Sequence, residues 1–341
     1  MFNFKNDYNC LCHENILIAL NKYQDEIFEV YGLDSHSSNA KNLIKNYIGD
    51  IDVDIHFMVG GTIANKTVLS HILRPYEAVI SANTGHINVH ETGAIESTGH
   101  KVVTINSYDG KIKVSDIEVC LESHTDEHMV LPKVVYISES TETGSVYSKE
   151  ELKEIYEFCK KNNLYLFVDG ARLGNALATG LINLSDLAQY SDVFYIGGTK
   201  NGALLGEAVV IVNDKLKDCF RYSIKQNGGM YSKGYVAGIQ FEELFKDNLY
   251  LKLAKQSNET AAFLYNELVQ KNIKMQSKCV TNQLFPIISN ELFIKLKEIA
   301  SFEVWEDLGS DKVIRFVCGF KTTKEYVAEF INELDLLIKK W

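Results

Sequence analysis

Residues 167–177 read FVDGARLGNAL and residues 194–212 read FYIGGTKNGALLGEAVVIV. An acid, Asp169, closes one apolar run, and a lysine, Lys200, stands in a glycine-rich loop after the next. Gly60-Gly61-Thr62 follows a third run and His86 follows a fourth. Each has a plain reading. Asp169-Gly170 suits a turn in which the Asp bonds its own backbone, Lys200 suits a solvated loop, and Thr62 suits a helix cap. Together they describe one chemistry. Pyridoxal phosphate needs an amine for a Schiff base, an acid to keep its pyridine nitrogen protonated as an electron sink, and an anion site for its phosphate. Lys200, Asp169 and a helix start at Gly61-Thr62 supply these, since backbone N–H groups at a helix N-terminus hold phosphate without an added cation. The His86 imidazole is placed to lie flat on the ring.

Other chemistries fit less well. The stretch VGGTIANK contains no GK[ST] and is not a P-loop, and it lacks the third glycine of a dinucleotide fingerprint. His86 and His90 stand four apart with Glu91 next, but the order differs from HExxH and no third ligand is apparent. Cys10-x-Cys12-His13 lacks the second ligand pair of a structural zinc site. No metal is expected.

Seven β-rich apolar runs must position these residues: 54–59, 77–82, 101–105, 133–138, 164–169, 192–197 and 207–212. Their character is continuous rather than alternating, the mark of strands covered on both faces. The fold class is therefore α/β, a large, mostly parallel seven-stranded sheet with helices on both faces. Ligands of open α/β sheets lie beyond the carboxyl ends of the strands, where Gly61, Asp169 and Lys200 stand. Ser148-x-x-Glu151 reads as a capping box opening a helix whose Leu152, Ile155, Tyr156 and Cys159 share one face. A long helical pattern over 249–271 leads to a smaller α/β unit with strands in NQLFPIIS, FEVWED and KVIRFVCG and a last helix from Thr322. The expected division is 1–248 for an N-terminal arm and large domain, and 249–341 for the linking helix and small domain.

Length and composition narrow the classes. A chain of 341 residues, 46% hydrophobic and 23% charged, can bury a large core. Its net charge of −10 carries no basic stripe, so nucleic acid and anionic membranes are not expected partners. No apolar run reaches membrane-spanning length and no signal peptide is visible. Seven scattered cysteines fit free thiols in a reducing compartment, so the expected location is cytoplasmic.

At this point the chain resembles the threonine aldolase family of pyridoxal phosphate enzymes, in particular the bacterial low-specificity type. The stretches that carry the resemblance are VYGLDSHS, VGGTIANK, NTGHINVHETGAIESTGHK, LPKVVYISESTETGSVYSKEEL, LYLFVDGARLGNAL, DVFYIGGTKNGALLGEAVV and IKQNGGMYSKG, in collinear order. The resemblance implies the aspartate-aminotransferase-like fold, fold type I, in a dimer or tetramer with active sites shared between subunits. It implies Lys200 as the Schiff-base lysine, Asp169 as partner of the pyridine nitrogen, His86 stacked on the ring, and Gly61 and Thr62 at the phosphate. Arg172 and Arg315 become the pair that clamps the substrate carboxylate, a task that suits a bidentate guanidinium. Asn6 stands where the family often has a carboxylate-binding serine. Glu142, in ESTETG, stands near where some members carry a histidine beside the substrate hydroxyl.

The expected reaction is retro-aldol cleavage of L-threonine or L-allo-threonine to glycine and acetaldehyde, with a base near His86 taking the hydroxyl proton, directly or through water. The same fold and cofactor also serve transamination, β-elimination and racemisation, because substrate orientation selects the bond that breaks. A catalytically idle relative is the remaining alternative.

Overall fold

The computed structural model describes residues 1–339. A short strand β1 (Phe2–Asn3) precedes the seven strands of the main sheet: β2 (Asp54–Met58), β3 (Glu77–Ala82), β4 (Lys101–Ile105), β5 (Leu131–Ser138), β6 (Tyr165–Asp169), β7 (Val193–Gly197) and β8 (Glu207–Ile211). Their order is β2-β8-β7-β6-β5-β3-β4. Only β8 runs against its neighbours, pairing antiparallel with both β2 and β7. The architecture is α/β with a mostly parallel sheet, as expected.

Why these runs are apolar throughout follows from where successive side chains go. Along β7, Phe194 and Ile196 enter the core on one face of the sheet, while Val193 and Tyr195 enter the core on the other. β5 divides in the same way, Val135 and Ile137 against Val134 and Tyr136. With period-two side chains and helices on both faces, central strands such as β7 and β8 leave no position for water. Several helices begin where a polar side chain takes the first N–H groups, as at Asp34 and Asn183; the Ser148 box is present, with Ser148 and Glu151 exchanging bonds at the start of Lys149–Lys161.

The long helix Leu249–Gln270 leads to a second sheet built from β9 (Lys274–Met275), β10 (Gln283–Leu284), β11 (Pro286–Ser289), β13 (Glu303–Asp307) and β14 (Asp311–Val317), while β12 (Ala300–Ser301) pairs in parallel with β1. The N-terminal arm is thus tied to the C-terminal unit. Phe4 is fully buried there, its ring centroid 5.2 Å from that of Phe316 and 4.9 Å from that of Phe330. The final helix, Lys324–Lys339, closes this third core with Val327, Phe330, Ile331 and Leu334.

Candidate active site

The carboxyl ends of the strands gather the chemical residues around one cavity of about 450 Å³, a size suited to a small organic ligand. Its wall includes Gly61, Thr62, His86, Arg172, Lys200 and Arg315. Asp169 lies just beneath, buried behind Ala171 and Tyr195, which form part of the wall. Asn6 is off the wall: its side chain accepts the Tyr8 N–H at 3.2 Å, and Tyr8 reaches the cavity instead.

Asp169 ends β6 and is held on both oxygens. Oδ1 accepts the Ala171 N–H at 2.9 Å and the Tyr195 hydroxyl; Oδ2 accepts the Asn65 amide at 2.9 Å and the Tyr136 hydroxyl. Burial alone would push this carboxyl up, but His86 and the hydroxyl and backbone donors outweigh burial and hold it below the usual carboxylate range. It is a fixed negative charge under the cavity floor. The strands around it meet closely: a Cβ on Gly170 would fall 1.7 Å from the Tyr195 carbonyl oxygen.

A polar relay joins that charge to His86. The Asn65 amide also donates to Glu91 Oε1 at 2.8 Å, and the same oxygen lies 2.8 Å from His86 Nδ1. Glu91 therefore sets the orientation of the imidazole, and its side chain is fully buried. His86 opens a four-residue helical turn, His86–Val89, and His90 caps its end with the two rings 5.5 Å apart. Burial and the neighbouring His86 hold the His90 pKa below its ordinary value.

Lys200 follows β7 in the glycine-rich loop. Among the described residues no carboxylate forms an ion pair with it; its ammonium stands 5.9 Å from the centroid of the Tyr8 ring. Burial, then the Arg172 charge, pulls its pKa below that of an ordinary lysine, which favours the free amine needed of a nucleophile. Glu207, at the start of β8, shares the cavity wall and accepts the Gly198 N–H at 2.9 Å. Burial pushes its carboxyl up to about 8.

At the opposite wall the helix Gly61–Ile72 starts from Gly60, which offers no side chain to cap it. Thr62 is therefore inside the helix and is not its cap. The exposed helix start is a ready anion cradle, and a Cβ on Gly61 would come 3.0 Å from Tyr195 Oη.

The two arginines differ in what they leave free. Arg172 spends its Nε and Nη2 on a forked pair with Asp7, at 2.8 and 3.0 Å, and Asp7 also accepts the Asn282 amide at 3.0 Å. Burial opposes the charge on Arg172, but Asp7 outweighs it and holds the guanidinium above its ordinary value. Arg315 lies on β14, buried rather than facing solvent. Its Nη2 donates to Glu303 at 2.9 Å, while its Nε is buried with no partner. An orphaned guanidinium donor in a cavity wall calls for an acceptor from a ligand.

The groups needed by pyridoxal phosphate thus fit: an amine without an ion pair, a buried anion beneath the floor, an uncapped helix start whose glycine has little room for a side chain, and an imidazole aimed by Glu91. The reading from sequence missed Asn65, Glu91, Tyr136, Tyr195, Asp7 and Glu207. Glu91 and Asn65 lie within the resembling stretches, but nothing in their spacing says that they share one hydrogen-bond chain.

Comparison with known proteins agrees with this geometry. Residues 23–291 match the family model described as beta-eliminating lyase. The low specificity L-threonine aldolase of Pseudomonas sp. (strain NCIMB 10558) is 31% identical over 339 residues, covering 96% of this chain and 95% of that protein. A solved structure of Leishmania major threonine aldolase superposes with a TM-score of 0.97 at 43% identity, covering 99% of this chain and all of that one. The alanine racemase TOXG of Cochliobolus carbonum is 28% identical over 66% of this chain and 60% of its own length.

Proposed function

The chain belongs to the threonine aldolases within the beta-eliminating lyase family, and from that membership we propose the roles of the residues around its cavity. It is a pyridoxal phosphate-dependent carbon–carbon lyase of fold type I that cleaves L-threonine by a retro-aldol reaction. When bound, the cofactor supplies an electron sink for the pair released at Cα. The chain's own residues do the rest.

Lys200 would hold the cofactor through its amine, which burial and the Arg172 charge favour in the neutral form. Asp169 keeps the proton on the ring nitrogen, its negative charge fixed by four donors. Gly61 and Thr62 would take the phosphate at the helix start, and His86, oriented by Glu91, would support the ring. Arg315, through its unpartnered Nε, and the remaining edge of Arg172 bind the substrate carboxylate, which turns the Cα–Cβ bond toward the perpendicular, labile alignment. Asn6 would join them only by giving up its bond to the Tyr8 N–H. The observation that carries this assignment is the buried, unpartnered Arg315 Nε in the same cavity wall as the Lys200 amine. L-allo-threonine and similar β-hydroxy-α-amino acids are included as substrates.

Dimers or tetramers with shared active sites, acting in the cytoplasm, complete the proposal. Its supports are the exposed apolar side chains Ile18, Ile27, Val30 and Leu33 on the N-terminal segment, and seven free cysteines, four of them buried.

The test is aldehyde and glycine release from L-threonine and L-allo-threonine, measured separately with added cofactor. Glycine equal to aldehyde, lost in Lys200→Ala, is the expected result. Bound cofactor without glycine would leave transamination, elimination or racemisation, the last being the reaction named for the Cochliobolus relative.

A further inference from the structure

We propose that Glu142 is the catalytic base that takes the β-hydroxyl proton of the substrate, its carboxylate fixed by Ser138 and by the His86 backbone N–H. The inference rests on the retro-aldol reading; a base for that step needs a free lone pair held in a fixed place in the cavity wall.

The wall offers Tyr8, His86, His90, Glu142, Tyr195, Glu207 and Glu303. Tyr195 already donates to Asp169, and Glu303 is committed to Arg315 at 2.9 Å. Tyr8 is exposed, and among the described residues no hydrogen bond fixes its hydroxyl. Glu207 accepts the Gly198 N–H, and burial pushes its carboxyl up to about 8, so near neutral pH it already holds the proton a base would have to accept. The His86 ring is fixed at Nδ1 by Glu91, 2.8 Å away, and keeps a free Nε2; packed flat on the cofactor, the ring would aim that in-plane lone pair along the cofactor face and away from a substrate hydroxyl standing off it. His90 sits at the exposed end of the turn, with its rotamer unfixed by any hydrogen bond among the described residues.

Glu142 differs from all of these. It is buried, yet it borders the cavity. One oxygen, Oε1, takes both the Ser138 hydroxyl at 2.6 Å and the His86 N–H at 3.0 Å. Its other oxygen takes no bond from another side chain among the described residues, which leaves Oε2 for the substrate. A base anchored through one oxygen and open at the other meets the positional requirement for proton abstraction. Burial, partly offset by the Ser138 bond, raises its pKa toward the working pH, where a base is most effective.

The step balances without a further reactant. Glu142 Oε2 accepts the hydroxyl proton as the O–H bond breaks, and that electron pair becomes the second bond of the aldehyde carbonyl. The Cα–Cβ bond breaks and its pair stays with Cα, spread into the bound cofactor. Cα then gains one proton, so the proton lost from the hydroxyl is matched by the one gained in glycine.

Glycine itself provides the control, because exchange of its α-proton uses the same cofactor, lysine and carboxylate clamp but has no hydroxyl to deprotonate. In the holoenzyme, Glu142→Gln should cut aldehyde release from L-threonine by about a hundredfold or more, the usual worth of a positioned base. The cofactor absorbance and the rate of glycine α-proton exchange in D2O, followed by NMR, should stay at the wild-type level. Ser138→Ala, which keeps the carboxyl but removes one of its anchors, should lose cleavage to an intermediate degree with exchange intact, and it answers the question even where the glutamine variant does not fold. Wild-type cleavage by Glu142→Gln, or parallel loss of cleavage and exchange in either variant, overturns the assignment. A wild-type enzyme that exchanges glycine but releases no aldehyde from L-threonine would instead sink the retro-aldol reading itself.

Discussion

Glu207 and Asp169 are both buried carboxyls within one cavity's surroundings, and donors decide their opposite behaviour. Asp169 is met by two hydroxyls, an amide and a backbone N–H, and stays ionised. Glu207 has the Gly198 N–H and the help of Thr199, which do not offset its burial, so its carboxyl rises to about 8. The folded protein therefore holds a proton on Glu207 that the unfolded chain releases in the ordinary carboxylate range. The sign follows from linkage: stability contributed by this proton is complete below the ordinary value of 4.5 and is lost as pH rises through about 8. Glu207→Gln cannot ionise, so its stability should stay flatter across that window. The two proteins should diverge by at most about 1.4 kcal/mol per pH unit, the value for one proton. Urea midpoints of the holoenzymes at pH 5, 7 and 9 check this, and parallel curves would mean that Glu207 is ionised throughout. None of this was legible in GEAVVIV, where the glutamate reads as a strand-entry residue; its burial depends on β8 lying between β2 and β7.

Elements were the most legible level. The seven apolar runs fall on β2 to β8 with ends displaced by at most two residues, because two covered faces leave a continuous apolar signal. The direction of β8 was not legible, since apolar content is the same whichever way a strand runs. The two-residue strands β1 and β12 were invisible for a related reason: they exist through pairing across almost the whole chain. The helix Gly61–Ile72 shows the same limit on a smaller scale. Its start was readable, but Thr62 as cap was wrong for this backbone, because the helix begins two residues earlier than that cap would place it, with Gly60 at the cap. The bare helix start predicts what Gly61→Ala should do. A Cβ there meets Tyr195 Oη at 3.0 Å, tighter than an ordinary contact, and that hydroxyl is held by Asp169. The variant should fold with a nearly unchanged melting temperature, since the helix gains alanine's better propensity at an end position. Cofactor affinity should fall about tenfold, as expected for about 1.4 kcal/mol lost at the anion cradle. Equilibrium titration of cofactor absorbance measures it; unchanged affinity would place the phosphate elsewhere.

Across the whole molecule, the N-terminal arm is what joins the two units at the site. Phe4 is buried among Phe316 and Phe330 of the C-terminal core, and three residues later Asp7 grips Arg172 beyond β6 and Asn282 before β10. Arg172 follows β6 of the large sheet and Arg315 lies on β14 of the small one, so the proposed carboxylate clamp depends on how these units sit together. Sequence could suggest the arginines but not Asp7 between them, because that contact spans more than 160 positions. Phe4→Ala removes the ring that anchors the arm, at a cost of about 3–5 kcal/mol if the arm unfolds with the whole chain. An arm held by a two-residue strand pair and the bonds of Phe4 to Ser301 and Val317 should instead loosen locally, so the loss of global stability should fall short of that figure. The larger effect should appear at the clamp. With Asp7 displaced, Arg172 loses its fixed orientation, and carboxylate binding weakens alike in the ground state and the transition state. That pattern raises KM for L-threonine while kcat changes little. Steady-state kinetics with a thermal melt separates the outcomes: raised KM with a modest melting shift supports the arm as organiser of the clamp, whereas an unchanged KM would show that Arg172 and Asn282 hold Asp7 in place without the Phe4 anchor.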